Sequence, residues 1–191
     1  FGQLDYSFDK KANDPSADDD GKLEEAYLGL TFGGNIDLRL GKQNYSTDEF
    51  SVEKAYESVV EDDIFDLNDD AGDDVVRVDA ELGNFFVSVS TDLEAEGNVK
   101  SDGNESTDLF VSTSVGNVGL MAAYQSYKSG TAGSETVDAW GVGATFDAGF
   151  AKFGADYGSM EDTADVYNLV AAFPVAATTA VAIGIQNLDE E

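Results

Sequence analysis

The chain is predicted to be all-β: an antiparallel, membrane-spanning barrel whose strands alternate apolar and polar residues. Three observations carry that prediction. Segments of strict alternation recur along the 191 residues, the two-residue period of a strand with unlike faces. Tight Gly-containing turns alternate with longer polar connections, as in a barrel with turns at one rim and loops at the other. Aromatic residues gather at the ends of the apolar face, where a lipid-water boundary favours rings with one wet edge.

The elements follow in order. Leu4, Tyr6 and Phe8 alternate with Gln3, Asp5 and Ser7, and a polar loop runs over Asp9–Leu23. Ala26, Leu28, Leu30 and Phe32 form the second apolar face, and Gly33-Gly34-Asn35 turns the chain into Ile36, Leu38 and Leu40. After a long acidic insert come Val76, Val78, Ala80 and Leu82, a Gly83-Asn84 turn, and Phe85, Val87 and Val89. Beyond a polar loop over Leu93–Thr107 the pattern resumes with Leu109, Val111, Thr113 and Val115, a Gly116-Asn117 turn, then Leu120, Ala122 and Tyr124. Trp140, Val142, Ala144 and Phe146 lead through Asp147-Ala148-Gly149 to Phe153, Ala155 and Tyr157. A loop is expected at Gly158–Ala164, followed by Tyr167, Leu169, Ala171 and Phe173. Pro174–Thr179 reads as a short connection to Val181, Ile183 and Ile185. That makes eleven strands over the one domain, residues 1–191.

The most apolar run, Leu169–Ile185, is interrupted by Pro174, Thr178 and Thr179. Pro inside a helix costs about 3 kcal/mol, so two strands and a turn are expected there rather than a spanning helix. In-strand charges such as Asp5, Asp37, Arg39, Arg77, Asp79, Glu81, Asp108, Asp138, Lys152 and Asp156 are expected on the polar face, opposite the apolar one. A Lys or Arg held against mid-bilayer costs roughly 2–4 kcal/mol, and lipid would enforce that sorting. Phe32, Phe85, Phe146 and Phe173 stand beside short turns, and Tyr6, Tyr124, Tyr157 and Tyr167 beside long loops. A soluble acidic β-sandwich that binds Ca²⁺ and carbohydrate is the competing reading, with the apolar face turned inward.

The insert over residues 42–74 is too long for an ordinary strand connection. It is rich in Asp and Glu, opposed only by Lys42 and Lys54. Yet it also carries Tyr45, Phe50, Val52, Val60, Ile64 and Phe65. A solvated tail needs no such anchors, so the insert is expected to fold into the mouth of the barrel and narrow it.

Composition excludes several classes. The net charge is −29, so nucleic acid is a poor partner and cations are good ones. With no Cys there are no disulfides or thiolate metal sites, and with no His there is no Ser-His triad and no His-ligated zinc. Acids are plentiful, but nothing singles out the carboxylate pair of a glycosidase; an enzyme is not expected. Asp18 and Asp20 in one acidic run, and Asp66, Asp69 and Asp70 in another, are candidates for Ca²⁺. Neither run completes a known Ca²⁺ loop, and no cofactor is required.

The segments AYLGLTFGGNIDLRLGKQ (Ala26–Gln43) and DDVVRVDAELGNFFVSVS (Asp73–Ser90) resemble the general porins of Gram-negative outer membranes. The shared features are Gly33-Gly34, Gly41-Lys42-Gln43, Arg77 and Gly83-Asn84. The resemblance implies a homotrimer of sixteen-stranded barrels in the outer membrane of a Gram-negative bacterium. Each barrel would hold a third loop folded inward as a constriction. It also implies contact with outer-membrane lipid and lipopolysaccharide, and passage of small hydrophilic solutes and cations. Only three strands precede the insert here, and an odd count cannot close a bacterial barrel, so the sequence is expected to be part of a longer one. In the resembling family basic wall residues face loop carboxylates. Here Arg39, Lys42 and Arg77 are the candidates for the wall. Asp48, Glu49, Glu53, Glu57, Glu61, Asp62, Asp63 and Asp66 are the candidates for the loop. Together they predict a cation preference that weakens with salt.

Overall fold

The computed structural model describes residues 1–7, 22–52, 60, 63–68, 70–93, 104–131, 133–176 and 179–190. Among the described residues, eleven strands form one antiparallel sheet in chain order. They are β1 (Gly2–Ser7), β2 (Lys22–Phe32), β3 (Ile36–Asn44), β4 (Ala71–Leu82), β5 (Phe85–Asp92), β6 (Glu105–Val115), β7 (Val118–Lys128), β8 (Thr136–Asp147), β9 (Lys152–Met160), β10 (Ala164–Ala176) and β11 (Thr179–Glu190). Among the described residues β1 and β11 do not pair, so this sheet is not closed.

The two faces sort as alternation requires. Leu28 is 75% exposed, Val78 37% and Val142 48%, whereas Arg77 is 3% exposed. An apolar surface that faces outward and a polar one that is covered is the inverse of a soluble sandwich, and a single meandering sheet is not two packed ones. On the outer face Tyr124 pairs with Trp140, and Tyr157 with both Val142 and Tyr167, giving an aromatic row toward the long loops. The Trp140 and Tyr157 rings are 5.6 Å apart. Toward the short turns Phe146 pairs with Phe153, whose ring meets Phe173 edge-on at 6.5 Å. Asp138 on β8, opposite Ser126, and Asp165 on β10, opposite Ser159, stand on the same face as the upper row. Asp138 therefore does not join the inner charges. It lies two residues from Trp140 and shares its face.

Several boundaries differ from the sequence expectation: β2 begins at Lys22 and β6 at Glu105, each inside a stretch read as loop, and three further differences follow. The connection between β3 and β4 is 45–70 rather than 42–74, because β3 continues through a bulge at Gly41 to Asn44 and β4 begins at Ala71. The loop expected at Gly158–Ala164 shrinks to a turn closed by Thr163 N–H donating to the Met160 carbonyl at 3.2 Å. The strands extend there because Met160 and Ala164 face inward and join the buried cluster beneath the insert. Pro174 lies within β10 opposite Ala180, beside a register shift rather than in the connection.

The core is not between two sheets. It lies between the insert and the inner wall. Phe50, Ile64 and Phe65 of the insert pack with Phe110, Ala123, Ala139, Met160, Ala164 and Val166 of the wall. The Phe50 and Phe65 rings meet edge-on at 5.3 Å. Burial of each such side chain stabilises the arrangement by roughly 1.5–3 kcal/mol.

Candidate pore constriction

The insert enters from β3 through Tyr45 and makes a short 3-10 turn over Ser46–Glu49. It lies against the inner face of β4 to β10, and a second turn at Phe65–Leu67 leads back to β4. Tyr45 N–H donates to the Asp70 carbonyl at 2.7 Å, which closes the base of the insert.

Inward carboxylates of the wall hold it: Asp79, Asp108 and Asp156, with Asp92 at the end of β5 bonded to Tyr45. Asp79 on β4 accepts from Arg77 Nε at 2.9 Å and lies 2.8 Å from Arg39 Nη2. Arg77 reaches onward, donating from Nη1 to the Tyr45 carbonyl at 3.1 Å and from Nη2 to Glu49 Oε1 at 2.9 Å. Asp108 on β6 accepts from Thr47 Oγ1, Gln125 Nε2 and Ser106 Oγ, each at 2.9 Å. Gln125 in turn accepts from Asn68 Nδ2 at 2.7 Å, so one buried cluster binds both ends of the insert. Asp156 on β9 accepts from Val52 N–H at 2.9 Å and Ser51 Oγ at 3.2 Å. Ser51 sits at φ 89°, the left-handed region, which costs a non-glycine residue of order 1–3 kcal/mol. The bonds to Asp156 keep it there.

The candidate residues divide accordingly. Arg39 lies on the inner face with its guanidinium partly exposed and 5.5 Å above the Tyr27 ring. Arg77 is on the inner face but buried, so it clamps the loop instead of lining open water. Lys42 is on neither site. Its register partner is Ala26, which puts it on the face of Leu28 and Leu40, and it pairs with exposed Asp73. The bulge leaves this alternation intact, which is why the Gly-basic-Gln segment does not turn its lysine inward. Asp48 and Glu49 stand on the first turn of the loop, both partly exposed. Asp63 is buried, accepting from Phe65 N–H at 2.7 Å, and exposed Asp66 accepts from Asp63 N–H at 2.7 Å. Glu53, Glu57, Glu61 and Asp62 lie outside the described residues, as do Asp18, Asp20 and Asp69 of the Ca²⁺ candidates. Asp70 is exposed. Among the described residues no group of three or more carboxylates is arranged to hold a metal ion.

Sequence reasoning missed that Asp79, Asp108 and Asp156 anchor the insert. The available signal was their position: each is an acid of inward parity within a strand, flanked by Val78 and Ala80, by Thr107 and Leu109, or by Ala155 and Tyr157. Below the loop an open cleft of about 560 Å³ is bordered by Glu49, Ser51, Glu81, Phe86, Phe110 and Met121.

Tyr45 supplies a pH test. Its hydroxyl donates to Asp92 Oδ2 at 2.7 Å. Burial, then Asp92, then Asp108, push the phenol far above its ordinary value. A raised value favours the protonated form in the folded state, so this stabilisation is complete below about pH 10 and is lost as pH rises further. The temperature at which the folded band converts on a denaturing gel is expected to hold up to that pH and fall above it. Tyr45→Phe is expected to flatten the alkaline fall.

An outward apolar sheet with aromatic rows, crossed inside by an anchored loop, defines a barrel-type membrane protein. The chain belongs to the Gram-negative porin family: the family profile described as Gram-negative porin matches residues 1–190. Its place is the outer membrane. No curated protein matches the chain. Among solved structures, a loop L8 deletion mutant of OmpT, an outer membrane protein of Vibrio cholerae, is similar at 18% identity and TM-score 0.72, covering 100% of this chain and 68% of its own. A trimer form of in-vitro folded OmpT from the same organism is similar at 18% identity and TM-score 0.68, covering 100% and 64%. An anion-selective porin from Comamonas acidovorans is similar at 14% identity and TM-score 0.72, covering 90% and 59%. The chain thus spans about three fifths to two thirds of the length of these structures.

Proposed function

We propose that the protein forms a water-filled, cation-preferring channel for passive diffusion of ions and small hydrophilic solutes across the outer membrane. The observation that carries this reading is the insert, anchored along the polar inner wall with carboxylates at its edge. It leaves an aqueous passage that is narrower than the barrel and negative. Glu49 and Glu81 border the cleft beneath the loop, and Asp48 and Asp66 are partly or fully exposed on the loop. Of the inner arginines, Arg77 is consumed by Asp79 and Glu49, and Arg39 is paired with Asp79. The balance of open charge is therefore acidic. The Comamonas porin named as anion-selective has the same fold, so the sign of selectivity follows lumen charge and not architecture. No bond is made or broken and no cofactor is needed. The trimer form of one neighbour supports a homotrimer, with the outer aromatic rows against lipid and lipopolysaccharide at the loop-side rim.

The test is planar-bilayer recording on the purified protein under a salt gradient. Stepwise conductance with a cation-sign reversal potential is expected, and higher salt is expected to shrink the potential. Glu81→Gln, at the border of the cleft and outside the Arg77 clamp, is expected to move it toward zero while the loop stays seated. Absence of conductance steps overturns the channel reading. A reversal potential of anion sign overturns the preference alone.

A further inference from the structure

The wall beneath the insert has a recess. Gly141 on β8 and Gly158 on β9 are register partners, and Gly154 shares the inner face of β9 on the other side of Asp156. The insert fills the space above them. A Cβ at Gly141 would meet Phe50 Cζ at 2.6 Å, one at Gly154 would meet Val52 Cγ1 at 2.8 Å, and one at Gly158 would meet Ile64 Cγ2 at 2.3 Å and Cβ at 2.5 Å. None of the three has a left-handed φ, so the backbone does not demand glycine. Glycine inside a strand weakens it, and its usual justification is close approach by another part of the chain.

We propose that Gly141, Gly154 and Gly158 set the width of the channel, by letting the insert lie flush against the wall with Asp156 as its central hydrogen-bond acceptor. This rests on the channel reading above. Carbon atoms settle at ~3.5–4.0 Å, so a methyl group on any of these glycines must push the insert off the wall by about 1 Å. Ile64 is met at its Cβ, which no rotamer change can move. Phe50 is wedged against Phe65 and buried. The displacement is therefore toward the axis, and the passage narrows.

The experiment replaces each glycine in turn by Ala and then Val. It reads single-channel conductance and the swelling rate of proteoliposomes in sugars of increasing size. Expected is a loss of conductance that deepens from Ala to Val, a lower size cut-off, and an unchanged reversal potential. Phe50→Leu removes the atom that Gly141→Ala would strike, and the pair is expected to recover conductance that the single glycine variant loses. A gel shift on heating reports folding; if Gly158→Ala does not fold, Gly141→Ala carries the test. Folded variants that conduct as the parent does, or a Phe50→Leu pair without recovery, overturn the assignment of width to the glycines. A parent protein that never conducts overturns the channel itself.

Discussion

Replacing Arg77 by Met is expected to free the base of the constriction loop and raise conductance. Its guanidinium binds Asp79, Glu49 and the carbonyls of Asn44 and Tyr45 at once, while almost fully buried. Met keeps much of the stem and removes every donor. Taking one partner from a buried ion pair costs about 3–5 kcal/mol, because the other charge stays buried. Arg39 still reaches Asp79 and moderates the loss, but it does not reach the loop. Arg77→Lys is expected to fail as well, since an ammonium cannot span this many acceptors in the geometry of a planar fork. Adding Asp79→Asn to Arg77→Met removes the stranded carboxylate and is expected to return part of the thermal stability without re-seating the loop. Conductance and the gel-conversion temperature separate the two effects. An Arg77→Met channel with parental conductance refutes the clamp.

The second large effect is expected at Asp108. Thr47, Gln125, Ser106 and Ser90 all direct donors at its carboxylate, out of contact with water. Asp108→Ala removes their shared acceptor and leaves, among these four groups, only the 3.3 Å bond from Gln125 Nε2 to Thr47 Oγ1. Each buried donor so stranded costs about 1–3 kcal/mol, and hydroxyl rotation recovers only part. Asp108→Asn keeps one carbonyl oxygen, and its amide can donate to the serine hydroxyls in place of receiving from them. The expected order of gel-conversion temperature is therefore parent, then Asn, then Ala well below. Conductance is expected to rise only in the Ala variant, as the first turn of the loop lifts away. Equal losses in Asn and Ala would mean that charge, and not acceptor capacity, holds the cluster.

The strands were legible because alternation is local. Leu28, Val78 and Val142 declare their face through their immediate neighbours. The loop was legible as an acidic stretch with apolar anchors. Its partners were not, since Thr47 meets Asp108 across 61 residues and Val52 meets Asp156 across 104. Parity placed Arg77 on the inner face correctly, but parity cannot tell a side chain bathed in water from one roofed by a loop. It also decides against Lys42, which the motif had suggested. The glycines at 141, 154 and 158 were visible as inward positions without side chains. What fills them is read only from the folded chain.

The manner of attachment has a consequence in brine. The insert is fastened chiefly by hydroxyl, amide and backbone groups donating to enclosed carboxylates, with its one guanidinium clamp shut away from counterions. The acids that greet a passing solute are open to them. Raising salinity should therefore mute the sieve's discrimination by sign while leaving its mesh the same size.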